Sequence, residues 1–222
     1  MSYIISKYGS ILLTAFGQTL LLALLSLFFA SIIGVVFGIL GVLNNKICRK
    51  IERVFVDVIR GVPLLVLALY LYFGIPMFIN AIIGGGFTLS KLQVGVIALS
   101  LNCGAYMAEI IRAGILSVDK GQVEAARSLG LPYSKTMRKI ILPQAVRTMV
   151  PTIINQFIIT LKDTSILSAI GFPELVNSAK NVVGVTFMSF QTYSIVALMY
   201  LVVILLLTNL SRYIERKWSR GR

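Results

Sequence analysis

Of the 222 residues, 57% are hydrophobic and 13% charged, and the mean hydropathy is +0.89, outside the range of soluble domains. A net charge of +13 would suit nucleic acid only if gathered on one face of a soluble domain; here the charges sit in short clusters between apolar runs, which excludes that partner and leaves the lipid bilayer as the surroundings. Histidine is absent and Cys48 and Cys103 lie far apart in sequence, so zinc sites, cysteine–histidine nucleophiles and a disulfide framework are excluded as well.

Five apolar runs are long enough to cross a bilayer, and backbone groups in hydrocarbon must bond within their own segment, so an all-α membrane protein of five spans is expected. The first run, Ile11 to Leu43, exceeds one crossing, which places the span at about 18–43 with an interfacial start. Its length, with a single preceding lysine, argues against a cleaved signal peptide. Gly34 and Gly38 within it match a small-xxx-small spacing, which lets helix backbones approach. The second span is expected at 54–73, with Arg53, Asp57 and Arg60 forming an i, i+4, i+7 ladder at its inner end, read as structural. Gly84 to Gly86 then form a turn; no G-x-x-x-x-G-K-[ST] segment exists to cradle phosphates, so any ATP must bind elsewhere. The third, fourth and fifth spans are expected at 94–115, 140–161 and 192–210. Tyrosines and Trp218 near span ends read as interfacial anchors.

Fifteen Lys and Arg residues flank one side of these spans: Lys46, Arg49, Lys50 and Arg53, then Arg112, Lys120, Arg127, Lys135, Arg138 and Lys139, then Arg212, Arg216, Lys217, Arg220 and Arg222. Four (Lys7, Lys91, Lys162, Lys180) flank the other, with Arg60 and Arg147 inside spans. The bias predicts an outside N-terminus, a cytoplasmic C-terminus and a cytoplasmic loop at about 119–139.

In that loop, "KGQVEAARSLGL" spaces Val123, Ala126 and Leu129 at i, i+3, i+6 and places Gly130 and Pro132 just beyond, the pattern of a short helix with a glycine stop. On residues alone such a helix is a surface connector or a docking element. "EAARSLG", nine residues, then Ile140, Leu142 and Pro143 match E-A-A-x3-G-x9-I-x-L-P, the EAA loop of ABC importer permeases. "RGVPLL" (60–65), "LSLNCGAYMAEIIRAGI" (99–115) and "NQFIITLKDTSILSAIG" (155–171) extend the resemblance over nearly the whole chain, to the polar amino acid permeases serving histidine, glutamine, glutamate, arginine, lysine and cystine. The resemblance implies a type I ABC importer-like permease fold in a bacterial cytoplasmic (inner) membrane. It also implies two cytoplasmic ABC ATPase subunits, a second permease copy or paralogue, and an extracytoplasmic amino acid binding protein. ATP and Mg would belong to the ATPases, with no cofactor on this chain and no catalysis by it. Glu124, Ala125, Ala126, Gly130 and Leu131 would be the coupling residues.

Polar residues in mid-span are costly in lipid and face a bundle interior or a wet cavity. Thr148, Thr152, Asn155, Gln156, Lys162 and Asp163 fall within about 120° of arc on the fourth span, and Asn102, Tyr106 and Glu109 repeat at i, i+4, i+7 on the third. Asn102 and Asn155 suit either interhelical bonding or substrate contact, Glu109 either the path or an i, i+3 pair with Arg112, and Lys162 and Asp163 either the path or an outer interface. Lys162 and Asp163, beside Thr164 and Ser165, supply both signs for a zwitterion. Pro143 and Pro151 are expected to interrupt the fourth helix. The rival class is an ion-coupled secondary transporter or channel, disfavoured by the absence of a visible inverted repeat. An intramembrane enzyme lacks a nucleophile–base pair, and a scaffold would leave the polar stripes unused.

Overall fold

The computed structural model describes residues 1–219, of which only the backbone at Trp218 and Ser219. Trp218 as an anchor and Arg220 and Arg222 in the charge bias therefore fall outside the described residues. Among the described residues there are helices and turns and no strand. Eight helical elements follow in order: α1 (Ser2–Val42), α2 (Lys46–Gly61), α3 (Leu64–Ile83), α4 (Lys91–Leu116), α5 (Lys120–Ser128), α6 (Tyr133–Ile170), α7 (Leu175–Thr186) and α8 (Ser189–Ser219). Five of them, α1, α3, α4, α6 and α8, are long and apolar enough to cross a membrane.

Helix α4 is the centre. Ser90 and Gln93 close a reciprocal capping box at its start, and its small residues bury it more than any other span. Helix α1 lies along it through the expected glycine face. A Cβ on Gly34 would stand 2.5 Å from the Cβ of Met107, and one on Gly38 2.8 Å from the Cβ of Ile111. Side-chain-free backbone is what permits this approach. At 41 residues α1 is ~60 Å long, about twice the hydrocarbon thickness. In its first turns Ile4 and Leu12 pack into a core with Leu175, Ala179 and Val182 of α7 and Val196 of α8.

The second span is corrected from 54–73 to Leu64–Ile83. Pro63 has no N–H and forces the preceding residue out of the helical region; Val62 is extended at φ −102°, ψ 126° and the ladder stops at Gly61. The segment before the break is a separate amphipathic helix, α2, that buries only Glu52 and Val56. It begins at Asn45, whose side chain accepts from the amides of Ile47 and Cys48, and it stacks Phe55 on Phe37 of α1. The glycine turn stands as expected: Asn80 bonds Phe87 through both its amide groups, closing the loop over Gly84 to Gly86.

Helix α6 is longer than 140–161 because its two ends change winding rather than stop. It carries a π-turn at Met137–Ile141 and tightens to 3-10 geometry at Thr164–Ile170. Pro143 lies just beyond the π-turn and Pro151 further on, so both are carried within the continuous helix. Helix α7, absent from the sequence reading, is too short to cross and joins α6 to α8.

Candidate functional site

The break before the second span opens a cavity of about 320 Å³ lined by Val62, Pro63 and Leu64 together with Asn102, Tyr106, Gln156, Asp163 and Arg60. Leu64, Leu65 and Val66 precede the first intrahelical bond of α3, which runs from the Leu67 amide to Pro63, and no side chain caps that end. A second cavity of about 530 Å³ adjoins it, between Tyr106, Glu109 and Gly114 of α4 and Thr148, Thr152 and Gln156 of α6. Of the residues expected on the path, Asn102, Glu109, Thr152, Gln156 and Asp163 are thus brought together, with Tyr106.

Asn155, Lys162, Thr164 and Ser165 are not part of this lining. The cavity face of α6 runs Thr148, Thr152, Gln156, Ile159 and Asp163, a narrower stripe than the 120° arc. Asn155 and Lys162, each one position off it, are exposed elsewhere. The Thr164 hydroxyl donates 2.7 Å to the carbonyl of Leu161 and that of Ser165 2.7 Å to Lys162, the local bonding expected where a helix tightens. Asp163 thus lines the cavity while its neighbour Lys162 does not.

Arg60, which the sequence reading assigned to a ladder on its own helix, borders both cavities. Its guanidinium pairs with Glu109 and lies 4.7 Å over the ring of Tyr106. The expected Glu109–Arg112 pair is replaced: Arg112 Nε lies 3.5 Å from Glu52 Oε1 on α2. The signal for this arrangement was "RGVP", a helix stop that makes Arg60 the last long side chain before the break.

At the basic end of the bundle, α5 protrudes. Asp119 caps it by accepting from the Gly121 amide at 2.7 Å. It closes as a Schellman motif, the Leu131 amide reaching Ala126 and the Gly130 amide reaching Arg127, with Gly130 at φ 78°. Glu124, Ala125 and Gly130 are exposed, Leu131 is half-buried, and Ala126 is buried beside α6. Leu129, spaced at i+6 from Val123, is the cap residue; it turns outward and is 83% exposed.

Sequence reasoning missed Glu174 altogether. It is fully buried, caps α7 by accepting from the amides of Val176 and Asn177 at 2.8 and 2.5 Å, and receives the Tyr200 hydroxyl at 3.4 Å. Burial pushes its carboxyl above the usual range, against the pull of those two amides. Beside it the Leu175 amide donates to Thr19 of α1.

Comparison with known proteins gives one consistent result. Residues 30–220 match the family described as binding-protein-dependent transport system inner membrane component. The chain is 36% identical over 200 residues to the glutamine transport system permease protein GlnP of Escherichia coli (strain K12), covering 90% of this chain and 89% of that protein. It is 37% identical over 212 residues to the probable glutamine ABC transporter permease protein GlnM of Bacillus subtilis (strain 168), covering 96% and 95%. Among solved structures, a chain from an amino acid ABC transporter crystallised with histidines superposes with a TM-score of 0.88 at 37% identity, covering 96% of each chain.

Proposed function

Because this chain belongs to the family of binding-protein-dependent transport system inner membrane components, we propose that it carries a polar or charged L-amino acid, delivered by an extracytoplasmic binding protein, across the cytoplasmic membrane of a bacterium. The ion-coupled alternative does not fit that family. The observation that carries the substrate reading is the cavity where the start of the second span meets Asp163. A carboxylate is favoured at the uncapped start of α3, where free amides and the helix dipole present positive charge, and an ammonium is favoured at Asp163. Asn102 and Gln156 supply neutral hydrogen bonds between them. Discontinuous membrane helices whose ends face a cavity are how other transporters hold small charged solutes.

The protruding α5 is read as the docking element for a cytoplasmic ATPase, with Glu124, Ala125, Ala126, Gly130 and Leu131 as coupling residues; exposed Leu129 adds an apolar contact. Two ATPases, with their ATP and Mg, a second permease copy or paralogue, and the binding protein complete the assembly. The charge bias sets α5 and the C-terminus in the cytoplasm and the N-terminus outside.

Reconstitution with the cognate ATPase and binding protein, followed by ATP-driven uptake over a panel of polar amino acids, tests this reading. Asp163→Asn and Asn102→Leu are expected to cut uptake at least about tenfold in intact complexes, the cost of about 1.4 kcal/mol in lost polar contact. Wild-type uptake in both variants would remove the cavity from the path.

A further inference from the structure

Resting on the importer reading above, we propose that α2 is a hinged inner gate, latched to α4 by two ion pairs that exchange for pairs within each helix when it opens. The latch is Arg60 with Glu109 and Glu52 with Arg112, joining α2 to α4 at two levels. A third cavity, of about 470 Å³, lies on the basic side of this seam and is lined by Arg49, Glu52, Asp57, Arg60, Glu109 and Arg112. Arg60 lines this cavity and also the one holding Asn102 and Asp163, so its pair with Glu109 stands at the boundary between substrate site and basic end.

Every charge in the latch has an opposite charge three residues away on its own helix: Asp57 for Arg60, Arg49 for Glu52, and Arg112 for Glu109. Such i, i+3 neighbours meet on a helix surface. Separating α2 from α4 therefore leaves no charge unpaired, which is what makes two discrete arrangements accessible in a partly desolvated seam. The remaining hold on α2 is light. It buries only Glu52 and Val56, stacks Phe55 on Phe37, lays Arg60 over the ring of Tyr106, and joins α3 through the two extended residues Val62 and Pro63, where the chain can pivot without breaking a helical bond. Gly41 of α1 makes room for the lower pair; a Cβ there would stand 2.7 Å from Arg112 Cδ and 3.0 Å from Glu52 Cδ.

The test uses the complete complex in inside-out vesicles, with Cys48→Ser and Cys103→Ala as background and Ile159→Cys as reporter in the substrate cavity. A charged, membrane-impermeant thiol reagent is added from the cytoplasmic side without nucleotide. Arg60→Gln and Glu109→Gln are expected to raise the labelling rate at least about fivefold, the exchange R60E with E109R to return it to near wild type, and Asp57→Asn, which removes an open-state partner, to lower it. A merely structural role gives no reason for two neutralising substitutions on one helix face to act in opposite directions. Unchanged rates in both glutamine variants, or a common direction for Asp57→Asn and Arg60→Gln in assembled complexes, would overturn the gate. ATP-driven uptake by the parent complex over the same panel of polar amino acids reports separately on the importer reading, since labelling needs no ATP.

Discussion

Gly38 of α1 sits directly over Ile111 of α4, so close that a Cβ on the glycine would lie 2.8 Å from the Cβ of Ile111 and 3.0 Å from the carbonyl oxygen of Ala108. A branched Cβ and a backbone oxygen cannot swing aside as a side-chain tip can. Gly38→Val is therefore expected to push the two helices apart and cost about 1–3 kcal/mol, read as a lower melting temperature of the purified complex in detergent. Gly17→Val, where nothing lies within 4 Å of the added carbon, should melt as the parent does.

Gly130 presents the opposite case. Its Cβ direction is empty, so any cost of substitution comes from φ 78° alone. Asparagine, which tolerates that conformation, should preserve coupling, whereas Gly130→Val should cost about 1–2 kcal/mol at the helix stop and misplace α5. Glu124→Lys leaves the stop intact and reverses a charge on the exposed face. ATP hydrolysis stimulated by loaded binding protein should fall in the valine and lysine variants and persist in the asparagine one; full stimulation in all three would make α5 a connector.

Exposed positions allow the orientation to be checked directly. Cysteine at Asn181, on α7, should react with an impermeant reagent added outside intact cells, and cysteine at Ser134, beside α5, only after the cytoplasmic face is opened. Labelling of position 134 from outside would invert the assignment.

Glu174 predicts a pH dependence. Its folded carboxyl is raised by burial, so the stability it contributes is fully present below the ordinary carboxylate range and is lost as pH rises through the raised value. Glu174→Gln removes that loss while retaining an acceptor for the amides of α7. The melting temperature of the parent should decline, relative to this variant, as pH increases from about 4 toward neutrality. Parallel curves would show that Glu174 does not titrate there. Glu174→Ala, which leaves the half-buried amides of Val176 and Asn177 without their cap, should cost about 1–2 kcal/mol at every pH.

Features set by a few consecutive residues were legible in the sequence. The stop at Gly130 and the glycine face of α1 each depend on local chemistry. The second span was misplaced because hydropathy averages over a window and passes through Pro63, whereas the helix ladder breaks at a single missing N–H. That shift also hid the partnership of Arg60 with Glu109, a contact between positions 49 residues apart. On α6 the error was one of angle: Asn155 and Gln156 are adjacent in sequence and about 100° apart on the helix, and only contact with α4 selects the second. Glu174 carried no signal, since an isolated carboxylate in a loop gives no hint that three helices close over it.

The π-turn at Met137–Ile141 lies between the exposed helix α5 and the cavity stripe of α6. A π-turn is an α-helix holding one surplus residue in a widened turn. The wider turn absorbs that residue, so the turns on either side keep the rotational alignment of an uninterrupted helix although one more residue separates them. A one-residue deletion there should therefore close the π-turn to an α-turn and leave the cavity stripe of α6 facing as it does now, whereas a deletion in the regular turns between Leu142 and Asp163 would turn part of that stripe away by about 100°.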